Sequence, residues 1–324
     1  MKLTDKIYVA GHKGLVGSAI IRLLEEKGYE NIVVADSTQL DLRIQADVSA
    51  FFKREKPQYV FLAAAKVGGI IANKTYGGEF IYDNLSIQNN VINEAYLNKT
   101  EKLLFLGSSC IYPKHAAQPI REEYFMTGPL EPTNAPYAMA KIAGIEMCKA
   151  YNVQYGCRFI SAMPTNLYGP GDNYNLQNSH VLPALLRKFH EAKNNNDASV
   201  TVWGTGTPRR EFLHVDDAAA ACYFLMQEYE EESIVNIGCG IDHSIGEMAE
   251  AIKEITGFTG ALNFDTTKPD GMMRKLLDVN KIQQLGWTHA IGLKTGLTET
   301  YKDFSSNYAY YISKNHRNSA PVNV

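Results

Sequence analysis

The chain has 324 residues, of which 45% are hydrophobic and 21% are charged, and its 32 basic and 35 acidic side chains leave a net charge of −3. This composition is typical of a globular protein with a substantial core, built as one large domain or two modest ones. The small net charge argues against a nucleic-acid-binding protein or one that works on a membrane surface. The N-terminus resembles the start of a strand rather than a signal peptide, and the apolar runs are too short to span a bilayer.

The cysteines are spread through the chain without a C-x-x-C pair. This spacing indicates neither a zinc site nor a disulfide framework, and we expect no metal. Reduced thiols in a cytoplasmic protein fit the pattern best. The residues concerned are Cys110, Cys148, Cys157, Cys222 and Cys239.

The N-terminal segment predicts a phosphate-binding turn. Residues 7–10 predict a buried strand, residues 18–27 show helical periodicity, and a glycine-rich loop joins the two. Glycines allow a close approach of a pyrophosphate, and a helix N-terminus offers free N–H groups and a positive dipole end. We predict a dinucleotide site here; the alternative is a tight turn that binds nothing. The loop contains Gly11, His12, Lys13, Gly14, Leu15, Val16 and Gly17.

The second predicted strand, residues 31–36, ends in Asp36. An acidic residue about 20 residues past the glycine loop is typical of proteins that hold the ribose 2′-hydroxyl of NAD. Lys13 argues the other way, because a cation in the loop suits the 2′-phosphate of NADP. The residues alone leave this conflict open.

Helices and strands alternate through the rest of the first half. We predict helices at 48–54, 82–97 and 136–151, strands at 57–65, 102–107 and 158–162, and a loop at 66–70. This alternation predicts an α/β fold with a Rossmann-type, doubly wound parallel sheet. Ligands on such sheets bind at the carboxyl ends of the strands. The glycine loop, Asp36 and residues 63–66, 108–110 and 164–166 all fall at predicted strand ends.

Tyr137 and Lys141 are four residues apart on a predicted helix, so their side chains share one face. A lysine cation beside a phenol lowers the phenol's pKa and makes it a usable proton donor near neutral pH. The alternative is a chance pair, since tyrosine and lysine one turn apart occur on many helices.

After residue 164 the pattern loosens, and we predict a smaller mixed α/β lobe of unreadable topology. Its recognisable parts are a loop at 168–173, a helix at 181–192, a strand at 200–203, a turn at 204–208 and an aspartate-capped helix after 214. We therefore divide the chain into a dinucleotide domain at 1–167, with possible later returns, a substrate lobe at 168–312 and a frayed polar tail at 313–324.

Six stretches together resemble the extended short-chain dehydrogenase/reductase family, in its nucleotide-sugar-modifying branch, and the resemblance extends from the first strand to about Trp287. The most specific part is Cys110 in a Ser-Ser-Cys run together with His180 in a Ser-His-Val run. The stretches are AGHKGLVGS at 10–18, LGSSCIYP at 106–113, YAMAK at 137–141, PTN at 164–166, NSHVLP at 178–183 and VWGTG at 202–206.

The resemblance implies NADPH-dependent 3,5-epimerisation and 4-reduction of GDP-4-keto-6-deoxy-D-mannose to GDP-L-fucose. It implies that Ser108 bonds the sugar carbonyl, that Tyr137 donates a proton to the C4 oxygen, and that Lys141 lowers the phenol pKa and binds the nicotinamide ribose. It also implies that Cys110 is the base and His180 the acid of the epimerisation, with a protonated His180 as a source of positive charge near the thiolate. From the residues alone, a serine at a strand end, a buried cysteine and a capping or core histidine remain alternatives.

Further contacts are implied by the same resemblance. The GDP-sugar is expected at Lys188, Trp203, Arg210 and Asp270, although Arg209 and Arg210 also suit a solvated charge pair. Beyond the glycine loop and Asp36, the cofactor is expected at Leu106, Gly107, Ser108, Lys141, Pro164, Asn166, Leu167 and His180.

Several alternatives stay open. The family usually carries basic residues just after the second strand, whereas this chain has Asp36, Ser37 and Thr38, so use of NADH remains possible beside NADPH. The substrate could be a related GDP-4-keto sugar such as a heptose, reduced at C4 with or without epimerisation. A redox-inactive dinucleotide-sensing protein is the alternative from another class. The resemblance further implies a homodimer that pairs helix 82–97 and the Tyr137 helix.

Overall fold

A computed structural model describes residues 1–176, 178–268 and 270–317, which contain twelve strands and eleven helices. Within these ranges, no helix is both long enough and apolar enough to cross a membrane. The strands are β1 (Ile7–Ala10), β2 (Ile32–Val33), β3 (Tyr59–Leu62), β4 (Lys102–Leu106), β5 (Phe159–Pro164), β6 (Asn166–Tyr168), β7 (Ser199–Trp203), β8 (Arg209–His214), β9 (Val235–Ile237), β10 (Asp242–Ser244), β11 (Ala261–Asp265) and β12 (Arg274–Lys275).

The helices are α1 (Leu15–Glu26), α2 (Gln45–Glu55), α3 (Ile70–Thr75), α4 (Gly77–Leu97), α5 (Ala135–Tyr155), α6 (Val181–Asn195), α7 (Val215–Glu228), α8 (Ile245–Thr256), α9 (Asn280–Gln284), α10 (Leu293–Ser306) and α11 (Tyr308–Arg317).

The main sheet has six parallel strands in the order β2-β1-β3-β4-β5-β9. Strands β1, β3 and β4 are buried along their whole length, as parallel strands covered on both faces must be. Helices α1 and α7 pack together, and α2, α4 and α5 form a second layer. The predicted Rossmann-type sheet is confirmed, and its carboxyl ends form the edge where a site is expected.

A second, smaller hydrophobic core lies among α6, α8, α10 and the strands around them. Here β8 is central, since it pairs with β6 and β12 in parallel and with β10 antiparallel, while β7 pairs with β11. The mixed architecture agrees with the prediction, and its topology depends on pairings between distant segments.

After this lobe begins, the chain returns to the main core. Helix α7 packs on α1, and β9 adds the sixth strand of the main sheet beside β5. Val235, Ile237, Leu277 and Ile282 are all buried in the main core, although they follow most of the second lobe in sequence.

Local expectations failed in three places. The second strand is only two residues long rather than six, because the segment after Val33 leaves the sheet. Helix α7 is capped by His214, whose side chain accepts from the backbone N–H of Asp216, rather than by an aspartate. The expected fraying does not begin at residue 313, because the chain is helical as far as Arg317 and Tyr311 is buried. Residues 318–324 of the predicted tail lie outside the described residues.

Candidate active site

The glycine-rich loop lies between β1 and α1, as predicted. Gly11 has a φ of +85°, and a Cβ there would lie 2.7 Å from the backbone nitrogen of Ala64. A Cβ at Gly17 would lie 2.2 Å from the carbonyl oxygen of Gly11. Gly14 is the N-cap of α1 and no side chain caps the helix there, so the N–H groups of its first turn have no capping side chain. Such a helix start, approached by backbone alone, fits the diphosphate of a dinucleotide.

Lys13 and Asp36 neutralise each other in the structure. The Lys13 Nζ lies 2.5 Å from Oδ2 of Asp36, and the lysine side chain is 66% exposed while that of Asp36 is 22% exposed. Oδ1 of Asp36 accepts from the backbone N–H and the hydroxyl of Thr38. These bonds, with that from Lys13 the strongest, hold the pKa of Asp36 well below its usual range. Next to Lys13, the His12 ring has its pKa lowered, first by burial.

Tyr137 and Lys141 share one face of α5 and meet Ser108 at the end of β4. The Lys141 Nζ donates to the carbonyl of Leu106 at 2.7 Å and lies 5.9 Å from the centre of the Tyr137 ring. The Ser108 side chain hydrogen-bonds to Tyr137. Pro136 occupies the first turn of α5, where the missing N–H costs no helical hydrogen bond.

Burial dominates the protonation of this pair. It raises the pKa of Tyr137 far above its usual value, and the hydrogen bond from Ser108 offsets only part of the rise. Burial also lowers the pKa of Lys141 to about 7. The sequence predicted a phenol with a lowered pKa, whereas here the Lys141 ammonium is held by the Leu106 carbonyl and burial outweighs its effect.

Two polar side chains from distant segments contact the sulphur of Cys110. Asn134 donates its amide to Sγ at 3.2 Å, and the Nζ of Lys275 lies 3.8 Å from Sγ. Cys110 itself lies in a 3₁₀ turn after β4, and its backbone N–H donates to the Ser108 side chain. Sequence reasoning missed both Asn134 and Lys275. No local signal could have found Lys275, because only the pairing of β12 with β8 brings it to the site.

His180 precedes α6 and is open to solvent on one side. The surrounding protein still lowers its pKa, and the positive charge of Lys275 lowers it further. The imidazole is therefore mainly neutral near pH 7. The cation whose contact with the Cys110 sulphur the structure shows is Lys275, rather than the protonated His180 expected from the sequence.

Loops from the two lobes meet beside this group. The backbone N–H of Gly69 donates to the carbonyl of Asn178 at 2.9 Å. A Cβ at Gly69 would lie 2.7 Å from the carbonyl oxygen of Ser179, so only glycine allows this approach. The remaining predicted cofactor residues lie at the ends of β4 and β5 and in β6, and they are Leu106, Gly107, Pro164, Asn166 and Leu167.

The residues predicted to hold the GDP-sugar lie around β7 and β8. The Nζ of Lys188 is 5.3 Å from the centre of the Trp203 ring, and that ring is 53% exposed. The Lys268 Nζ, which the sequence did not single out, is 5.8 Å from the same ring. An exposed tryptophan flanked by two cations is suited to stack against a planar group that carries phosphates.

Asp270 lies beside the turn that follows this tryptophan, and Arg210 lies on β8. Arg210 donates to the carbonyl of Arg209, and burial lowers its pKa, so it is no solvated charge. Both carboxylate oxygens of Asp270 are bound to Thr205, by its backbone N–H at 2.9 Å and its hydroxyl at 2.7 Å. Asp270 thus holds the turn that follows Trp203.

Comparisons with known proteins agree with this geometry. A family model described as the NAD dependent epimerase/dehydratase family matches residues 7–238. The chain is 59% identical to GDP-L-fucose synthase 1 of Arabidopsis thaliana over 93% of this chain and 94% of that one. It is 52% identical to GDP-L-fucose synthase of Escherichia coli K12, over 94% and 97%. A solved GDP-mannoheptose C4 reductase from Campylobacter jejuni with NADP bound matches at 44% identity and a TM-score of 0.87, over 94% and 99%.

Proposed function

Because this chain belongs to the NAD-dependent epimerase/dehydratase family, among relatives that include GDP-L-fucose synthases, we propose that it makes GDP-L-fucose from GDP-4-keto-6-deoxy-D-mannose. The reaction inverts C3 and C5 and then reduces C4. The observation that carries this proposal is the thiol of Cys110 beside the Tyr137 pair. Ser108 links the two, because its hydroxyl oxygen accepts from the backbone N–H of Cys110 at 3.2 Å and its side chain hydrogen-bonds to Tyr137.

NADPH is the proposed cofactor, in accord with the NADP-bound relative. The glycine loop would hold its diphosphate, and Lys141 and the ends of β4 and β5 would hold the nicotinamide end. When bound, this cofactor supplies the hydride that C4 receives. The Lys13–Asp36 ion pair bears on selectivity, because Lys13 attracts a 2′-phosphate and Asp36 repels it. We propose that NADPH is preferred, with NADH accepted less well.

The epimerisation needs a base and an acid on opposite faces of the sugar ring. The C4 ketone acidifies the hydrogens on C3 and C5, because the electron pair of the broken C–H bond moves onto the carbonyl oxygen. In the proposed roles, the Cys110 thiolate takes the proton and becomes a thiol. His180 then delivers a proton to the opposite face of the same carbon, and the ketone re-forms with the configuration of that carbon inverted.

The reduction follows at C4. Ser108 would donate to the carbonyl oxygen and polarise it, as an oxyanion donor does. Tyr137 would give that oxygen its proton as hydride reaches the carbon. The high pKa of the buried Tyr137 phenol keeps its proton in place until an alkoxide develops beside it. The product therefore carries a hydroxyl at C4.

The nucleotide would bind in the second lobe. We propose that Trp203 packs on a ring of the GDP moiety, with Lys188 and Arg210 near its phosphates. Asp270 would act mainly by holding the turn after Trp203. In this division, residues 1–167 with α7 and β9 bind the cofactor, and residues 168–312 bind the GDP-sugar.

A C4 reductase acting on a related GDP-4-keto heptose is the second candidate, and the match to a GDP-mannoheptose C4 reductase favours it. The same Tyr137 chemistry serves both sugars. The two candidate functions differ in whether the Cys110 thiol has a role.

The test is incubation with GDP-4-keto-6-deoxymannose and NADPH in D2O, followed by NMR of the product. The L-galacto configuration with deuterium at C3 and C5 is expected. Cys110→Ser should lose the deuterium, and Cys157→Ser, remote from the site, should keep it. Reduction without deuterium in wild type would contradict the epimerase role, and turnover of only the heptose substrate would favour the second candidate.

We also propose a homodimer in the cytoplasm. Helices α4 and α5 pack side by side and expose several large apolar side chains, a pattern typical of a protein interface. Sedimentation showing only monomer at micromolar concentration would contradict the dimer. All five cysteines are free, which suits a reducing compartment. The exposed side chains are Tyr82, Leu97, Met139 and Val153.

A further inference from the structure

Among the residues that the structure describes, Lys275 is the cation with a recorded contact to the Cys110 sulphur. It ends β12, is half-buried, and its Nζ lies 3.8 Å from Sγ. Its neighbour Arg274 pairs with Asp242, 2.5 Å away. Successive residues of a strand point to opposite faces, so β12 sends one cation to a carboxylate and the other to the sulphur. Among the described residues, no carboxylate forms an ion pair with Lys275.

Building on the proposed function, we propose that Lys275 is a positioning residue that holds Cys110 as the thiolate that removes protons from the sugar. Asn134 assists by donating its amide to the same sulphur at 3.2 Å. Asn134 and Lys275 come from different parts of the chain, so in this proposal they hold the position of the Sγ atom as well as stabilise its charge. Neither residue takes part in proton transfer itself.

The other groups that face Cys110 do not supply this charge. Tyr137 and Ser108 are neutral, and burial lowers the pKa of Lys141 to about 7, so that lysine is only partly charged near neutral pH. The pKa of His180 is lowered by burial and by Lys275.

Arg210 lies beside Lys275, in register on the neighbouring strand β8, and donates to the carbonyl of Arg209. The cation with a direct contact to the sulphur is Lys275. Positive charge within about 4 Å of a thiol favours the thiolate, which is both the stronger base and the stronger nucleophile.

The test measures the thiol directly, without substrate or cofactor. The alkylation rate of the full chain by iodoacetamide is followed against pH for wild type, Lys275→Met, Lys275→Arg and Lys294→Met. Cys110→Ser identifies the signal that belongs to Cys110. Burial raises the pKa of the remaining thiols, so they react later in the titration: Cys148, Cys157, Cys222 and Cys239.

We expect Lys275→Met to move the Cys110 midpoint up by about one pH unit, the size expected for loss of a neighbouring charge. Lys275→Arg should stay near wild type. Lys294→Met, a distant lysine that pairs with Glu254, should change nothing. An unchanged midpoint in Lys275→Met would overturn the proposal. If that variant fails to fold by circular dichroism, Lys275→Gln replaces it.

A second readout is the pH profile of deuterium exchange at C3 and C5. The charge of Lys275 lowers the pKa of His180. If Lys275 also holds the thiolate, its removal should move both limbs of the profile to higher pH. A merely structural role would lower the rate without moving the limbs. A shifted alkylation midpoint with no turnover of either sugar would reject the proposed function and leave the role of Lys275 standing. Normal exchange with an unshifted midpoint would reject Lys275 alone.

Discussion

Two lysines at the same site have opposite environments. Lys141, on α5, is only 3% exposed, and its ammonium is held by a backbone carbonyl. Lys275, on β12, is half-buried and contacts a thiol. Burial lowers the pKa of the first, so its value lies in its hydrogen bond, whereas the second acts, in our proposal, through its contact with the Cys110 sulphur. In the proposed mechanism, the reducing end of the site (Ser108, Tyr137 and Lys141) is buried and holds its protons in place, whereas the epimerising end (Cys110 and His180) depends on charge.

The largest effect is expected from removing the Tyr137 phenol, which should separate reduction at C4 from exchange at C3 and C5. In Tyr137→Phe the C4 oxygen has no proton donor, so reduction should fall by about 10²- to 10⁴-fold, the usual contribution of general acid catalysis. Exchange at C3 and C5 should persist, since it needs the thiol and not the phenol. NADPH consumption and deuterium incorporation measure the two separately.

Tyr151→Phe is the matched control, because that phenol lies on the same helix but bonds to Asn93. Equal loss of reduction and exchange in Tyr137→Phe would mean that the two ends are not separable.

Replacing the buried Lys141 tests the burial of the reducing end through the free energy of unfolding. An unfolded lysine has a pKa of about 10.4, and that of Lys141 is about 7 in the folded chain. The unfolded chain therefore binds more protons between these values, so the free energy of unfolding of wild type rises with pH across this window. Lys141→Met removes that slope. Without cofactor, it should raise the free energy of unfolding at pH 7 by about 1–3 kcal/mol, with a smaller gain near pH 10.

Urea denaturation at the two pH values measures this difference. Lys149→Met changes a more exposed lysine on the same helix and should show no pH-dependent gain. A stability difference for Lys141→Met that does not vary with pH would contradict the account of its burial.

The smallest effect is expected at the rim of the proposed cofactor site, where the Lys13–Asp36 ion pair is partly exposed. Asp36→Ala frees Lys13 and removes a repulsion, so the ratio of kcat/KM for NADPH over NADH should rise several-fold. Asp41→Ala, which removes an acid paired with Arg43 instead, serves as the control. An unchanged cofactor ratio in Asp36→Ala would refute this explanation, and added salt should weaken the effect.

The sequence predicted the arrangement of the glycine loop and of the Tyr137–Lys141 pair well because its determinants are local. A strand, a glycine turn and a helix lie within residues 7–26, and Tyr137 and Lys141 lie on one turn of one helix, so spacing alone placed them. The conflict between Lys13 and Asp36 could not be resolved locally, because it depends on a contact between side chains that are 23 residues apart.

The epimerising end could be predicted only through resemblance. It depends on Cys110, His180 and Lys275, which come from the 3₁₀ turn after β4, the start of α6 and β12, and no periodicity links them. Lys275 was missed because its position depends on the pairing of β12 with β8. The pKa values were also beyond sequence reasoning, since burial overrides the proximity rule that predicted an acidic phenol at Tyr137.

The return of the chain at β9 has a consequence for how the protein is made. Strand β9 cannot pair with β5 until most of the second lobe has been synthesised. Val235 and Ile237 cannot join the main core before then either. A fragment ending at residue 167 would leave an open strand edge and the uncovered side of α1. We therefore expect the two lobes to fold together, and neither of them to be stable as a separate fragment.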